Sequence, residues 1–184
     1  MALKSTSAKF GGIAKLFHWT MAILVIGMLA LGLYMHELPF SPDKFKLYAW
    51  HKSIGMLVLM LALLRLGWRA IDIRPDHVPG MPPTHVKLAA AAHWVLYGLM
   101  LSLPLSGWLM TSATGTPIDL FNTGILVPNL IGASEDALNL LKTVHEILGK
   151  ALMAVAAIHI GAALKHQFVD KDATLRQMLP GGRV

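Results

Sequence analysis

The sequence predicts an all-α fold, a transmembrane bundle of four helices, and three observations carry that reading. Of the 184 residues 55% are hydrophobic and only 14% charged, with a mean hydropathy of +0.57, far from the balance of an ordinary soluble domain. From Leu16 to His36, and again from Leu88 to Ile118, there is no acidic or basic side chain except histidine. Each run exceeds the about 20 helical residues that cross a hydrocarbon core. Two further stretches are nearly as apolar: Leu47–Leu64, interrupted only by Lys52, and 143–168, which carries Glu146 and Lys150 in its first half. Four spans are therefore expected.

Taken in order, a short basic tail leads into span 1, about residues 15–37. Lys4, Lys9 and Lys15 before an apolar run resemble a signal peptide, but the run is longer than an h-region and has His18 at its start, so an uncleaved anchor is expected. A loop with Pro39 and Pro42 precedes span 2, about 46–70, and the proline-rich "IRPDHVPGMPPTH" precedes span 3, about 86–111. The longest connection, 112–142, contains "SATGTPIDLFNTGILVPNLIG", where Gly and Pro punctuate apolar residues. It is expected to pack as a cap over the bundle. Ser134 stands before Glu135 and Asp136 as the N-cap of a short helix leading into span 4, about 142–168. The polar "DKDATLRQMLPGGRV" is expected to be helical until Pro180, and the whole of 1–184 to form one integral-membrane domain.

The formal charge of +6 points to the membrane and not to nucleic acid. With both termini cytoplasmic, the inner segments hold Lys4, Lys9, Lys15, Arg65, Arg69, Arg74, Lys87, Lys165, Lys171, Arg176 and Arg183, 11 of the 16 basic residues. That asymmetry fixes the expected orientation across the membrane. There is no cysteine, which excludes disulfides, thiolate-held iron–sulfur clusters and the thioether attachment of c-type haem.

The chemistry is carried by histidine. In "TVHEILGKALMAVAAIHIGAALKHQF" (143–168), His145, His159 and His166 are 14 and 7 residues apart, so all three lie on one helical stripe. Histidine within a bilayer segment is costly and usually faces the bundle interior. His51 and His145 open spans 2 and 4 at the outer side in the matching phrases "HKSIG" and "HEILG". His159 lies about 21 Å deeper at 1.5 Å per residue, level with His18 and His93 near the inner ends. Two layers of imidazole result, and a pair of neutral imidazoles from facing helices is what a six-coordinate b-type haem needs. His51 pairs with His145, while Gly55 and Gly149, each four residues on, leave room for a macrocycle edge. His159 is an inner ligand whose partner is His93 or His18; depth slightly favours His93, six residues from Lys87 as His159 is from Lys165. His36, His77 and His85 sit in or beside loops and carry no such argument.

With these motifs the chain resembles the bacterial di-haem cytochrome b561 family. The matching segments are "FHW" (17–19), "WHKSIG" (50–55), "LRLGWR" (64–69), "AHWVLYGLML" (92–101), "SGWL" (106–109), "VHE" (144–146) and "IHIGAALKHQFVDKDATLRQM" (158–178), in the family's order over nearly the whole chain. The resemblance implies two haem b groups, held by His18 with His159 at the inner side and His51 with His145 at the outer side. It also implies a cytoplasmic-side ubiquinone site at His93 and His166. Gln167 departs from the second histidine that relatives often show there. Some relatives oxidise superoxide and pass the electron to ubiquinone; others sit beside a periplasmic isoprenoid-binding protein.

The function expected is electron transfer across the inner membrane between a periplasmic one-electron donor or acceptor and the quinone pool. A haem-bearing anchor subunit for a redox partner, docking through 112–142, and a haem-free histidine-lined transporter are the alternatives. For superoxide, the outer segments carry Lys44, Lys46, Lys52, Lys142 and Lys150 against Glu37, Asp43, Asp119, Glu135, Asp136 and Glu146. That is five against six, a net of −1, so attraction of an anion requires a local funnel from Lys44, Lys46 and Lys52.

Overall fold

A computed structural model describes residues 2–78 and 80–182; Arg183, counted above among the inner cations, lies outside them. Four long helices run antiparallel in chain order: α1 (Gly12–Glu37), α2 (Pro42–Ile71), α3 (Pro83–Ser112) and α4 (Glu135–Lys165). All four are long and apolar enough to cross a membrane, so the four expected spans are present, each a few residues longer than its apolar run. The extensions come from capping. Ser41 Oγ accepts from the Lys44 amide with Pro42 at the first helical position, and Ser134 Oγ accepts from the Ala137 amide ahead of Glu135 and Asp136. The short helix expected before span 4 is therefore the first two turns of α4 itself.

Each helix packs on its chain neighbours, α1 on α2, α2 on α3 and α3 on α4. Only 6–11% of each span's most apolar window is buried within the protein. Ile23, Leu63, Ile147 and Ile158, each more than half exposed, therefore face lipid. The dry centre is a plug of Met21, Ala62, Tyr97, Met100 and Leu152 with all four helices contributing. Leu152 stands seven residues from both His145 and His159, so this plug separates the two layers of histidine.

At one end, which we call the cap end, the α3–α4 connection folds over the bundle as expected. It contains the two-residue antiparallel pair β1 (Ile118–Asp119) and β2 (Leu126–Val127). The Phe121 amide donates to the buried Ser53 Oγ (2.9 Å), Trp108 Nε1 to the Pro128 carbonyl (2.9 Å) and the Leu130 amide to Ser112 Oγ (3.0 Å).

The opposite, tail end is stitched by three segments. Asp72, at the end of α2, accepts from the Ser5 amide (3.0 Å), Ser5 Oγ (2.6 Å) and Trp68 Nε1 (3.1 Å). Lys15 Nζ and Trp19 Nε1 on α1 donate to the carbonyls of Leu179 and Met178 (2.8 and 3.0 Å). The C-terminal segment is less helical than expected. After a π-turn (His166–Asp170) the chain breaks at Lys171, whose φ of 55° is left-handed, and only Thr174–Met178 (α5) resumes as helix.

Burial pushes the Asp72 carboxyl up, but the hydrogen bonds from Ser5, Trp68 and the Ile73 amide outweigh it and hold the group below its ordinary range. A depressed carboxyl stabilises above its unfolded value of about 3.9 and loses that contribution as pH falls through the folded value. Hydrogen exchange at the Ser5 and Gly11 amides is therefore expected to show protection unchanged from neutral pH down to about pH 4 and lost only below it.

Candidate haem sites

At the cap end, His51 of α2 and His145 of α4 face each other with ring centroids 6.3 Å apart. They border a cavity of about 480 Å3, within the 300–1,000 Å3 range of cofactor sites. One glycine from each helix lines it: Gly32, Gly55, Gly107 and Gly149. A side chain at Gly107 would put its Cβ 3.1 Å from His145 Cε1, whereas one at Gly149 would meet nothing within 4 Å. Gly107 thus lets the His145 ring lie against α3, and Gly149 leaves space open. Ser106 Oγ donates to the Leu103 carbonyl (2.7 Å) and so accepts from His145 Nδ1–H (2.9 Å). That bond fixes the tautomer and leaves Nε2 as a lone-pair donor. His51 Nδ1 is buried without a hydrogen-bond partner among the described residues.

The lysines at this end have different surroundings. Lys44 Nζ is tied to the Leu38 carbonyl (2.6 Å) and Lys46 to Asp43 (3.0 Å). Lys52 does line the cavity, joined there by Lys142 and Lys150, with Lys150 paired to Glu146 at 2.6 Å.

At the tail end three histidines converge. His159 of α4 lies 6.3 Å from His18 of α1 and 5.6 Å from His93 of α3, centroid to centroid. Arg65 Nη2 is 3.1 Å from His18 Nδ1, and the same guanidinium lies 5.6 Å over the Tyr97 ring. Arg69 stacks on Tyr97 and Trp94 at 5.3 and 5.6 Å. Neither arginine forms an ion pair among the described residues. His166 is apart from this cluster: its Nδ1 is bound to Asp172 at 2.6 Å, with Asp170 at 3.3 Å.

The whole chain has known relatives. Residues 9–181 match the family model described as prokaryotic cytochrome b561. The chain belongs to the prokaryotic cytochrome b561 family. It is 36% identical over 180 residues to cytochrome b561 homolog 2 of Escherichia coli K12, covering 97% of this chain and 95% of that one. It is 32% identical over 171 residues to a probable superoxide oxidase, CybB, of Yersinia pestis, covering 90% and 93%. Cytochrome b561 homolog 1 of E. coli matches at 31% over 130 residues, 71% of this chain and 73% of that one.

As a cytochrome b561 the protein is a multi-pass inner-membrane b-type cytochrome that works in electron transfer and binds haem b. The residues present suit that group. Without cysteine the donor set is imidazole, the His145 tautomer is held for ligation through Nε2, and four glycines leave their cavity unfilled. His51 and His145, facing each other across the cavity with ring centroids 6.3 Å apart, are the residues that would hold it there.

Sequence reasoning found the histidines and two of the four cavity glycines. It missed Gly32, Gly107 and Ser106. The phrase "PLSGW" holds the last two, but only the packing of α3 on α4 gives them a partner.

Proposed function

We propose that this cytochrome b561 carries electrons across the inner membrane between a periplasmic one-electron partner and ubiquinone, through two haem b groups. His51 with His145 would hold one at the cap end, His18 with His159 the other at the tail end. The observation that carries the reading is the repeated 6.3 Å ring spacing in two pairs at opposite ends of the bundle. Ten of the eleven basic residues counted as inner belong to the described tail end, which supports a cytoplasmic location for it and for both termini.

Haem, when bound, supplies a one-electron iron couple. The chain's own part is to hold and insulate it. Ser106 keeps the proton on His145 Nδ1, the cap closes the outer site with the buried Ile118, and the apolar plug excludes water between the sites. At the tail end, His18 would hold the haem through Nε2; its ring proton would then stand on Nδ1, which would no longer accept from Arg65. Arg65, without a carboxylate partner, is then free to meet an anionic group such as a haem propionate. Lys52, Lys142 and Lys150 at the outer cavity, with the Yersinia relative named a probable superoxide oxidase, support superoxide as the outer donor. His93 and His166 would border the quinone.

The test is the reduced-minus-oxidised spectrum and haem content of the purified protein. A b-type α-band with a haem-to-chain ratio near two is expected; a protein without that band would be the haem-free transporter. Superoxide-dependent reduction of a soluble ubiquinone by the isolated protein is expected as well. A second test is Gly107→Val. Its branched side chain would push the His145 ring off Ser106, so haem content should fall toward one per chain with the inner haem's spectrum unchanged.

A further inference from the structure

His166 is not an isolated solvated imidazole. It begins the π-turn that ends α4, and its Nδ1 donates to Asp172 Oδ2 at 2.6 Å. The carboxylate is itself held: the Thr174 amide donates to Asp172 Oδ1 at 2.8 Å, and the Asp172 amide closes back onto the His166 carbonyl at 3.1 Å. Burial pushes the Asp172 carboxyl up, but the bonds from Thr174 and His166 outweigh it and keep it below its ordinary range, so it is ionised at neutral pH. Asp170, the other acid at His166, is answered by Lys165, whose Nζ lies 2.7 Å from both its oxygens. Arg176 donates to the Asp172 carbonyl at 3.1 Å, which leaves the carboxylate itself to the imidazole.

With Nδ1 committed, Nε2 is the nitrogen left for an outside partner. The side chain is 21% exposed. Beside it in the chain, Gln167 Oε1 is buried without a partner among the described residues, as is Thr174 Oγ1, and Phe168 and Val169 are 70% and 71% exposed as an apolar approach from lipid. His166 is seven residues beyond His159 on the same stripe, about 10 Å along the helix.

We propose that His166 and Asp172 form a carboxylate–imidazole proton donor for quinone reduction at the tail end, with His166 Nε2 giving the proton and Asp172 as the positioning residue. This rests on the quinone reading above. A quinone needs two electrons and two protons to become a quinol. The quinone oxygen that faces Nε2 would take one of the two protons from the imidazolium, which, now neutral, recovers it from the adjoining aqueous phase; the far oxygen would take the other proton from that phase. Asp172 stabilises the imidazolium and holds the ring so that its charge change occurs at Nε2. The groups around the ring that set its charge are Asp172, Asp170 with its partner Lys165, and Arg176.

The experiment uses reduced holoprotein mixed with a short-chain ubiquinone, with reoxidation of the α-band followed from mildly acid to mildly alkaline pH. Asp172→Asn keeps an acceptor for the Thr174 amide but removes the charge. It is expected to slow quinone-driven oxidation on the order of 100-fold. Oxidation by ferricyanide, which needs no proton, should be unchanged, and so should both haem midpoint potentials. Asp172→Glu should recover part of the rate, and His166→Ala should lose as much as the double variant. If His166→Ala is slow toward quinone while Asp172→Asn keeps the parent rate and pH profile, the pair is wrong and the quinone site stands. If His166→Ala is as fast as the parent, the quinone site at this end is wrong as well.

Discussion

His145→Ala is expected to halve the haem content, from two per chain to one, and to remove the outer haem while leaving the inner one at its parent potential. His145 is better prepared as a ligand than any other histidine in the chain. Ser106 fixes its proton on Nδ1, Gly107 lets the ring seat against α3, and the opposite face is open toward His51. Alanine would leave His51 with no imidazole facing it across a cavity of about 480 Å3, whose other lining histidine, His36, stands in the last turn of α1, and a single protein ligand would not hold an untethered haem well. His51→Ala should give the same spectrum. Ser106→Ala is a graded version, because loss of a partner that orients a ligand weakens binding on the order of 10- to 100-fold. The readouts are haem content after detergent exchange and a redox titration of the α-band, which should collapse from two waves to one. Reduction by an outer donor should fail in the alanine variants while quinone still oxidises the inner haem. Two remaining haems in His145→Ala would remove the basis for the outer site.

The spans and the two histidine layers were legible because membrane helices obey a simple rule: apolar length fixes the span and a charged flank fixes the depth. His51 and His145 could be paired because both open their spans at one level in the matching phrases "HKSIG" and "HEILG", whereas His36, which lines the same cavity from the last turn of α1, stands beside a loop. The inner layer could not be resolved in the same way. Three helices bring histidine to one level, and His159 lies beside both His18 and His93, so depth, which slightly favours His93, could not decide between them. Gly32, Gly107 and Ser106 were invisible for another reason. Small residues are ordinary in membrane helices, and their value here comes from which side chain stands opposite. The partner of His166 was hidden by geometry. Six residues along an ideal helix is about 120° off its stripe; the π-turn and left-handed Lys171 bring Asp172 back under the imidazole. Of the three lysines that a local funnel would use, Lys44 and Lys46 have nearer partners, a carbonyl and a carboxylate, that charge counting ignores.

For the inner site, His18→Ala is expected to lose one haem and His93→Ala to keep both. The ring spacing argues for this: His18 to His159 repeats the 6.3 Å of the outer pair, whereas His93 sits closer, at 5.6 Å. His93 is also one residue from Trp94, which carries the Arg69 guanidinium on its face, an arrangement suited to the border of a site. His159→Ala should lose the inner haem whichever partner is correct, so it sets the reference spectrum for that loss. His18→Ala should reproduce that spectrum and leave the outer haem reducible. His93→Ala should keep two redox waves but weaken quinone-driven oxidation, with ferricyanide oxidation unaffected. The reverse pattern, two haems in His18→Ala and one in His93→Ala, would assign the inner iron to α3 and α4. It would also leave the His18–Arg65 contact as structural, since Arg65 then need not leave Nδ1 when haem binds.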